Sequence, residues 1–254
     1  MRTGHLVRSR LAAGVTAGLA ALLLAGCGGD DDSSTSAGSS GSETSSETSD
    51  AGNGESEKTG AEVSEDAIDA LEAAGSVHVA GTVTAEGEET TFDIQLQGDD
   101  AAGTITLGGQ TVELIRTAGT AYMKGDAALW TSFGVPAEAV AQLDGTWVLM
   151  PPGTDSGLDT FTFDGFLDEI RDGSGGDGGN AQEEVATEEL DGQEVVVVTD
   201  DDGSKLYVAA TGEPYPLKVV DTGDEPGEVT FSNFGKTESI TAPPAPLDLS
   251  QFGA

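Results

Sequence analysis

From Val77 onward, apolar residues return at every second position in short runs separated by glycine, and that period leaves few folds open. Val77, Val79 and Val83 alternate with His78, Ala80, Thr82 and Thr84. Phe92, Ile94 and Leu96 repeat the pattern, as do Ile105 with Leu107 and Val112 with Leu114. A two-residue period sends one set of side chains to one face of a strand and the intervening set to the other, so each run predicts a strand with one buried face. Gly87, Gly98 and the pair Gly108 and Gly109 break the runs closely enough for hairpins. The first half therefore predicts an antiparallel meander.

Helical spacing interrupts this pattern in three places. Ala67, Ile68, Leu71 and Ala74 predict an opening helix, with Ser64 as its N-cap, Val63 and Ile68 as a hydrophobic staple, and Gly75 as its stop. A second helix is predicted over Val135 to Leu143, with Pro136 in its first turn, ahead of a short strand from Trp147 to Met150 that ends at Pro151 and Pro152. A third covers Phe163 to Arg171, capped by Thr162, with Phe163, Phe166, Leu167 and Ile170 on one face. Gly173 to Asn180 reads as a flexible glycine-rich loop. Strand patterns resume at Val195–Val198, Leu206–Val208, Leu217–Val220 and Val229–Phe231, with Asp202 and Gly203 as a hairpin turn and a proline-rich tail from Thr241.

Helices so few and short cannot supply parallel crossovers. The expected class is α+β: one domain with about ten strands in a curved antiparallel β-sheet and short helices packed together on its concave face.

Ahead of this region, Arg2, Arg8 and Arg10 precede an uncharged stretch from Leu11 to Leu24, the layout of a secretory signal. The stretch is shorter than the roughly 20 residues that a helix needs to span a bilayer. Leu24, Ala25 and Gly26 lead into Cys27, the only cysteine in the chain, and these four residues resemble the lipobox of bacterial lipoproteins. That resemblance implies cleavage before Cys27, a diacylglyceryl thioether on its sulfur, and anchorage at the outer face of the cytoplasmic membrane. A lone cysteine also leaves the mature chain without an internal disulfide.

Residues 28–60 hold ten Ser, four Thr, seven Gly and eight acidic residues, with no Val, Ile, Leu or aromatic residue. Such a segment cannot offset the entropy of ordering it and predicts a disordered tether with a reach of roughly 30 Å. The expected organisation is a signal peptide over 1–26, the lipidated cysteine and acidic linker over 27–60, and a folded domain over 61–254.

A formal net charge of -36 excludes nucleic acid as a partner, because that interface needs cationic side chains to replace phosphate counterions. Past the signal, His78 is the only histidine, and it falls on the outward face of a strand. Neither a Gly-x-Ser-x-Gly elbow nor a His-Glu-x-x-His helix occurs, so no catalytic residue is expected and the chain reads as a non-enzyme. Gly173, Gly175 and Gly178 fit Gly-x-Gly-x-x-Gly but follow a helix, where a dinucleotide site needs a preceding strand. Asp172, Asp177 and the run Asp200, Asp201 and Asp202 lack the alternating ligands of a calcium loop, so neither metal nor cofactor is expected.

What remains is apolar. Trp130, Phe133, Trp147, Phe161, Phe163, Phe166 and Leu167 cluster in the segment that interrupts the strands. One reading is an ordinary core. The other is a cavity for acyl chains, lined by Trp130, Phe133, Trp147, Phe163, Phe166 and Leu167.

Several segments, in order, resemble the LppX/LprG-type lipoproteins of actinobacteria. Gly119-Thr120-Ala121-Tyr122-Met123-Lys124-Gly125 precedes Trp130-Thr131, and Leu190-Asp191-Gly192-Gln193 leads into a valine run. Leu206-Tyr207-Val208 is followed by Thr211-Gly212 and Pro216-Leu217, and Phe231-Ser232-Asn233-Phe234-Gly235 precedes Pro243 and Pro244. The resemblance implies a half-barrel of antiparallel strands wrapped around helices, related to the carrier LolA, with a hydrophobic cavity. It implies binding of acylated lipid or glycolipid for carriage or presentation in the envelope. The alternative function is a non-catalytic envelope lipoprotein that senses or engages a protein partner without bound lipid.

Overall fold

Alternation along the strands is realised as two meanders stitched together by the first strand of one and the last of the other. The computed structural model describes residues 52–85, 87–151, 161–174, 183–223 and 226–252. The expected signal, Leu24, Ala25, Gly26 and Cys27, most of the linker, and Gly175, Asp177 and Gly178 lie outside the described residues.

The first meander is β1 (Ser76–Ala85), β2 (Glu88–Gln97), β3 (Asp100–Leu107), β4 (Gln110–Thr117), β5 (Thr120–Lys124) and β6 (Val148–Leu149). The second is β7 (Glu184–Leu190), β8 (Gln193–Thr199), β9 (Lys205–Ala209), β10 (Pro216–Asp221) and β11 (Gly227–Ser232). β11 pairs antiparallel with β1, and β12 (Leu247–Asp248) pairs parallel with β6 at one sheet edge. The order is β12-β6-β5-β4-β3-β2-β1-β11-β10-β9-β8-β7.

The class is α+β, as expected, but the open sheet is mixed and has 12 strands among the described residues rather than about ten antiparallel ones. The alternation does not mark β7, whose side chains are mostly exposed, and β12 is too short to show a period.

Four helices complete the described elements: α1 (Gly60–Ala74), α2 (Ala127–Ser132), α3 (Ala137–Leu143) and α4 (Phe163–Ser174). α2 is a six-residue helix that the periodicity does not reveal, and the Asp126 side chain caps it by accepting the Leu129 N–H at 2.9 Å. Thr162 caps α4 as expected, its Oγ1 accepting the Gly165 N–H at 2.9 Å. The helix continues through Gly173, which was expected in the loop.

The start of α1 corrects the sequence reading. Thr59, not Ser64, is the N-cap, and Glu62 closes a capping box with it. Ser64 is 2% exposed inside the helix, and its Oγ has no hydrogen-bond partner among the described residues. Part of the segment assigned to the linker is also structured: Glu55–Glu57 form a 3-10 turn, and Asn53 Nδ2 donates to the Ala209 carbonyl at 2.8 Å. Lys58 bridges the buried Glu55 and Asp66, and the hydrogen bonds it donates to Asp66 and then Glu55 hold its ammonium well above the usual lysine range.

Register joins the apolar residues into rows across the sheet. One row runs Val198, Leu206, Val219, Val229, Gly81, Phe92, Ile105, Val112. Another runs Phe231, Val79, Ile94, Gly103, Leu114, Met123, Val148, Leu247. All four helices pack on this face through Val63, Ala67 and Leu71 of α1, Trp130 and Leu143 of α2 and α3, and Phe166 of α4.

Glycine interrupts each row where the sheet presses on itself. A Cβ on Gly81 would sit 2.3 Å from the Glu228 carbonyl oxygen, and one on Gly103 would sit 2.1 Å from that of Asp93. Glycine inside a strand marks such close backbone approaches and tight bends.

After β11 the chain turns back over the opposite face. Ser76 Oγ and Gln95 Nε2 donate to the Lys236 carbonyl at 3.0 and 3.3 Å. The Gln97 amide brackets Glu238, accepting its N–H at 2.7 Å and donating to its carbonyl at 2.8 Å. The strap then reaches β12 and a closing 3-10 turn, Leu249–Phe252.

Candidate functional site

The expected lining residues separate into two neighbouring clusters on the helix-covered face. In the first, Phe163, Phe166 and Leu167 of α4 are 3%, 8% and 2% exposed and pack on Leu71, Val79, Ile94 and Phe231. The Phe166 and Phe231 rings are tilted by 43° with centroids 6.3 Å apart, a favourable aromatic arrangement. In the second, Trp130 is completely buried among Met123, Leu143, Val148, Met150 and Leu249, and its Nε1 donates to the Leu143 carbonyl at 3.1 Å. Phe161 is half-buried and packs against both clusters, so it joins them.

Two expected lining residues sit elsewhere. Phe133 is 49% exposed. It is the C-cap of α2 and precedes Gly134, whose φ of 76° turns the chain, so its ring lies 6.2 Å from that of Trp130 on the solvent side. Trp147 is half-buried, with Lys124 Nζ 5.8 Å from its ring centre. Met123, Met150 and Leu249 were missed. Met123 shares the row of Leu114 and Val148, but its strand is short and offers one clear apolar position on that face.

A separate small cleft lies between α1 and the β8–β10 end of the sheet, lined by Ser64, Val198, Asp200, Ser204, Lys205, Leu206 and Val219. Its free interior of about 10 Å³ is the room of one water. Nearby, burial and then the charge of Asp200 push the Glu183 carboxyl above the usual carboxylate range. The Glu183 side chain lies against the first turn of α1: a Cβ on Gly60 would meet its Oε2 at 1.8 Å. Asp200 Oδ1 accepts the N–H groups of Asp202 and Ser204 at 3.0 and 2.9 Å, so the aspartate run closes the β8–β9 hairpin with Gly203 at φ 85°.

His78 lies on the opposite face, as expected, but it is not alone there. Its Nε2 is 3.0 Å from Asp93 Oδ1 and its Nδ1 is 3.3 Å from Ser232 Oγ, a line across β2, β1 and β11. These are the group types of a hydrolytic triad. Here they lie on an outer pleat, away from the apolar clusters, and act as cross-strand hydrogen bonds. Sequence spacing gives no sign of it, because Ser232 is brought alongside only by the β1–β11 pairing.

Among the described residues no group of three or more His, Cys, Asp or Glu is placed to hold a metal ion. No helix among them is long and apolar enough to cross a membrane. The fold and clusters define an open α+β sheet with the described α-helices all on one apolar face, while Val195 and Val197 are buried on the other. No family model and no curated protein matches the chain. A crystal structure of an uncharacterized conserved protein from Thermus thermophilus is similar over 74% of this chain and 96% of that one, with 10% identity and a TM-score of 0.32.

Proposed function

We propose that the protein is a lipid-anchored envelope lipoprotein of the LppX/LprG type. It holds the acyl part of a lipid or glycolipid between its helices and its sheet, for carriage or presentation outside the cytoplasmic membrane. The observation that supports this most is the apolar sheet face on which all four described α-helices lie, where half-buried Phe161 joins two of its clusters. A half-barrel with helices on its concave side fits the glycine positions at Gly81 and Gly103.

Acyl chains entering this layer gain about 0.8 kcal/mol for each methylene removed from water. The net charge of -36 favours lipids with neutral headgroups. No residue performs a reaction in this reading. Cys27 carries the anchor, and the acidic segment after it sets the distance from the membrane.

The burial of Trp130 in one cluster and of Leu167 in the other favours a second reading, a sensor or protein-interaction module with a filled core. Native mass spectrometry of the non-lipidated chain purified from its own host separates the two. Co-purifying lipid adducts are the expected result, and their repeated absence removes the lipid reading. Metabolic palmitate labelling, abolished by Cys27→Ser, tests the anchor.

A further inference from the structure

The second apolar cluster is finished by residues 247–252. Leu247 extends the row Leu114, Met123, Val148, Leu249 is 3% exposed among Trp130 and its neighbours, and Phe252 packs half-buried beside them. We propose that this trough, floored by β5 and β6 and walled by α2 and α3, is a subsite for one linear acyl chain. The C-terminal arm, Leu247 to Phe252, fills it as a removable plug. The proposal rests on the lipid-binding reading and assigns a place within it.

Three features make the arm the removable part. β12 is held by a two-residue ladder, the one parallel pairing among the described strands. It stands at the sheet edge, so its departure breaks no second pairing. The connection behind it is held by the burial of Pro243 rather than by backbone hydrogen bonds: residues 241–246 donate none to another described residue between that of Ile240 to Glu238 and that of Leu247 to Trp147. Pro243, Pro244 and Pro246 have no N–H to give, and Ala245 adopts a φ of 47°, a left-handed conformation that costs a non-glycine residue.

The Gln97–Glu238 bracket marks where the strap stays fixed, so residues beyond it can leave without disturbing the sheet. Departure uncovers Trp130, Met123 and Val148. An acyl chain of the same apolar character restores their burial, whereas a polar ligand does not. The arm and the ligand therefore compete, and apparent affinity scales with the fraction of molecules whose arm is out.

The test uses the full chain carrying Cys27→Ser and the probe methyl cis-parinarate, a neutral acyl ester, read by energy transfer from tryptophan. Val148→Cys with Leu247→Cys joins register partners, and strands spaced about 4.8 Å apart lie within disulfide reach. Oxidation of this pair is expected to weaken binding by about tenfold or more relative to the reduced form of the same protein. Leu249→Ser, which loosens the arm, is expected to strengthen binding by a similar factor. Should that variant fail to fold, the comparison of oxidised and reduced forms still decides.

Equal affinity in the oxidised and reduced forms, with the parent chain binding the probe, overturns the plug and leaves the lipid reading standing. Failure of the parent, reduced and Leu249→Ser proteins alike to bind overturns the lipid reading itself, and the plug with it.

Discussion

Thr59 and Glu62 close the start of α1 on each other: the Glu62 carboxylate accepts the Thr59 N–H at 2.9 Å and its hydroxyl at 2.8 Å, while Thr59 Oγ1 accepts the Glu62 N–H at 3.4 Å. Ser64, one turn further in, has a buried hydroxyl with no partner among the described residues. The two positions therefore carry opposite signs. Thr59→Ala is expected to lower stability by about 1 kcal/mol. Ser64→Ala is expected to raise it by up to about 1 kcal/mol, because an unsatisfied buried group disappears. Urea unfolding of both variants checks this, and destabilisation by Ser64→Ala would contradict the assignment. The Thr59 backbone and then side-chain hydrogen bonds hold the Glu62 carboxyl below its usual range. Its contribution is present above the unfolded-state pKa and lost as pH falls through the folded one, so Thr59→Ala, which removes the hydroxyl but keeps the backbone N–H, flattens the acid limb of the stability profile only in part.

Glu183 titrates with the opposite sign. Its folded pKa is raised by burial and by Asp200, so the ionised form is the one the fold disfavours. The penalty is absent at pH below the unfolded-state pKa of about 4 and fully present above the folded value. Glu183→Gln is expected to stabilise the protein at neutral pH and to make no difference near pH 4 or below. Thermal melts across that range test the sign, and a variant less stable at neutral pH would show that the carboxylate is favourably placed.

Gly103 and Gly81 lie where the sheet leaves no room for a side chain. Gly103→Ala places a methyl group 2.1 Å from the Asp93 carbonyl oxygen, which is backbone and cannot swing away. A loss of about 1–3 kcal/mol is expected. Gly119→Ala makes a useful comparison, since a Cβ there meets nothing but must adopt the φ of 72°. An unchanged urea midpoint for Gly103→Ala would refute the close approach.

Trp130 and Phe133 are three residues apart and sit in opposite environments. Trp130→Ala is expected to cost about 3–5 kcal/mol through lost packing, and Trp130→Phe about 1–2 kcal/mol through the lost indole hydrogen bond, the Leu143 carbonyl still accepting the Thr146 N–H at 3.0 Å. Phe133→Ser is expected to stay within about 0.5 kcal/mol of the parent chain. Equilibrium unfolding of the three proteins ranks them.

How much of this was legible follows from where each signal resides. The strands β1 to β4 could be read because each carries its own alternation over eight or more residues. β7 was not readable, since both its faces meet solvent and its Glu-rich sequence shows no apolar period. β12 was hidden for another reason: two residues become a strand only because β6 is beside them. The face of α4 that carries Phe163, Phe166 and Leu167 was plain at helical spacing. The exposure of Phe133 was not, because it depends on the turn made at Gly134. Ser64 misleads because it stands just ahead of the apolar residues at helical spacing, whereas Gly60 and Ala61 already belong to the helix.

The joining of β1 to β11 brings His78 beside Ser232 across 154 residues of sequence. A chain emerging from a narrow channel amino end first must leave the bare margin of β1 waiting until nearly all the rest has followed. Non-local closures of this kind fold slowly and expose adhesive edges meanwhile. The two meanders become one sheet only when β11 arrives.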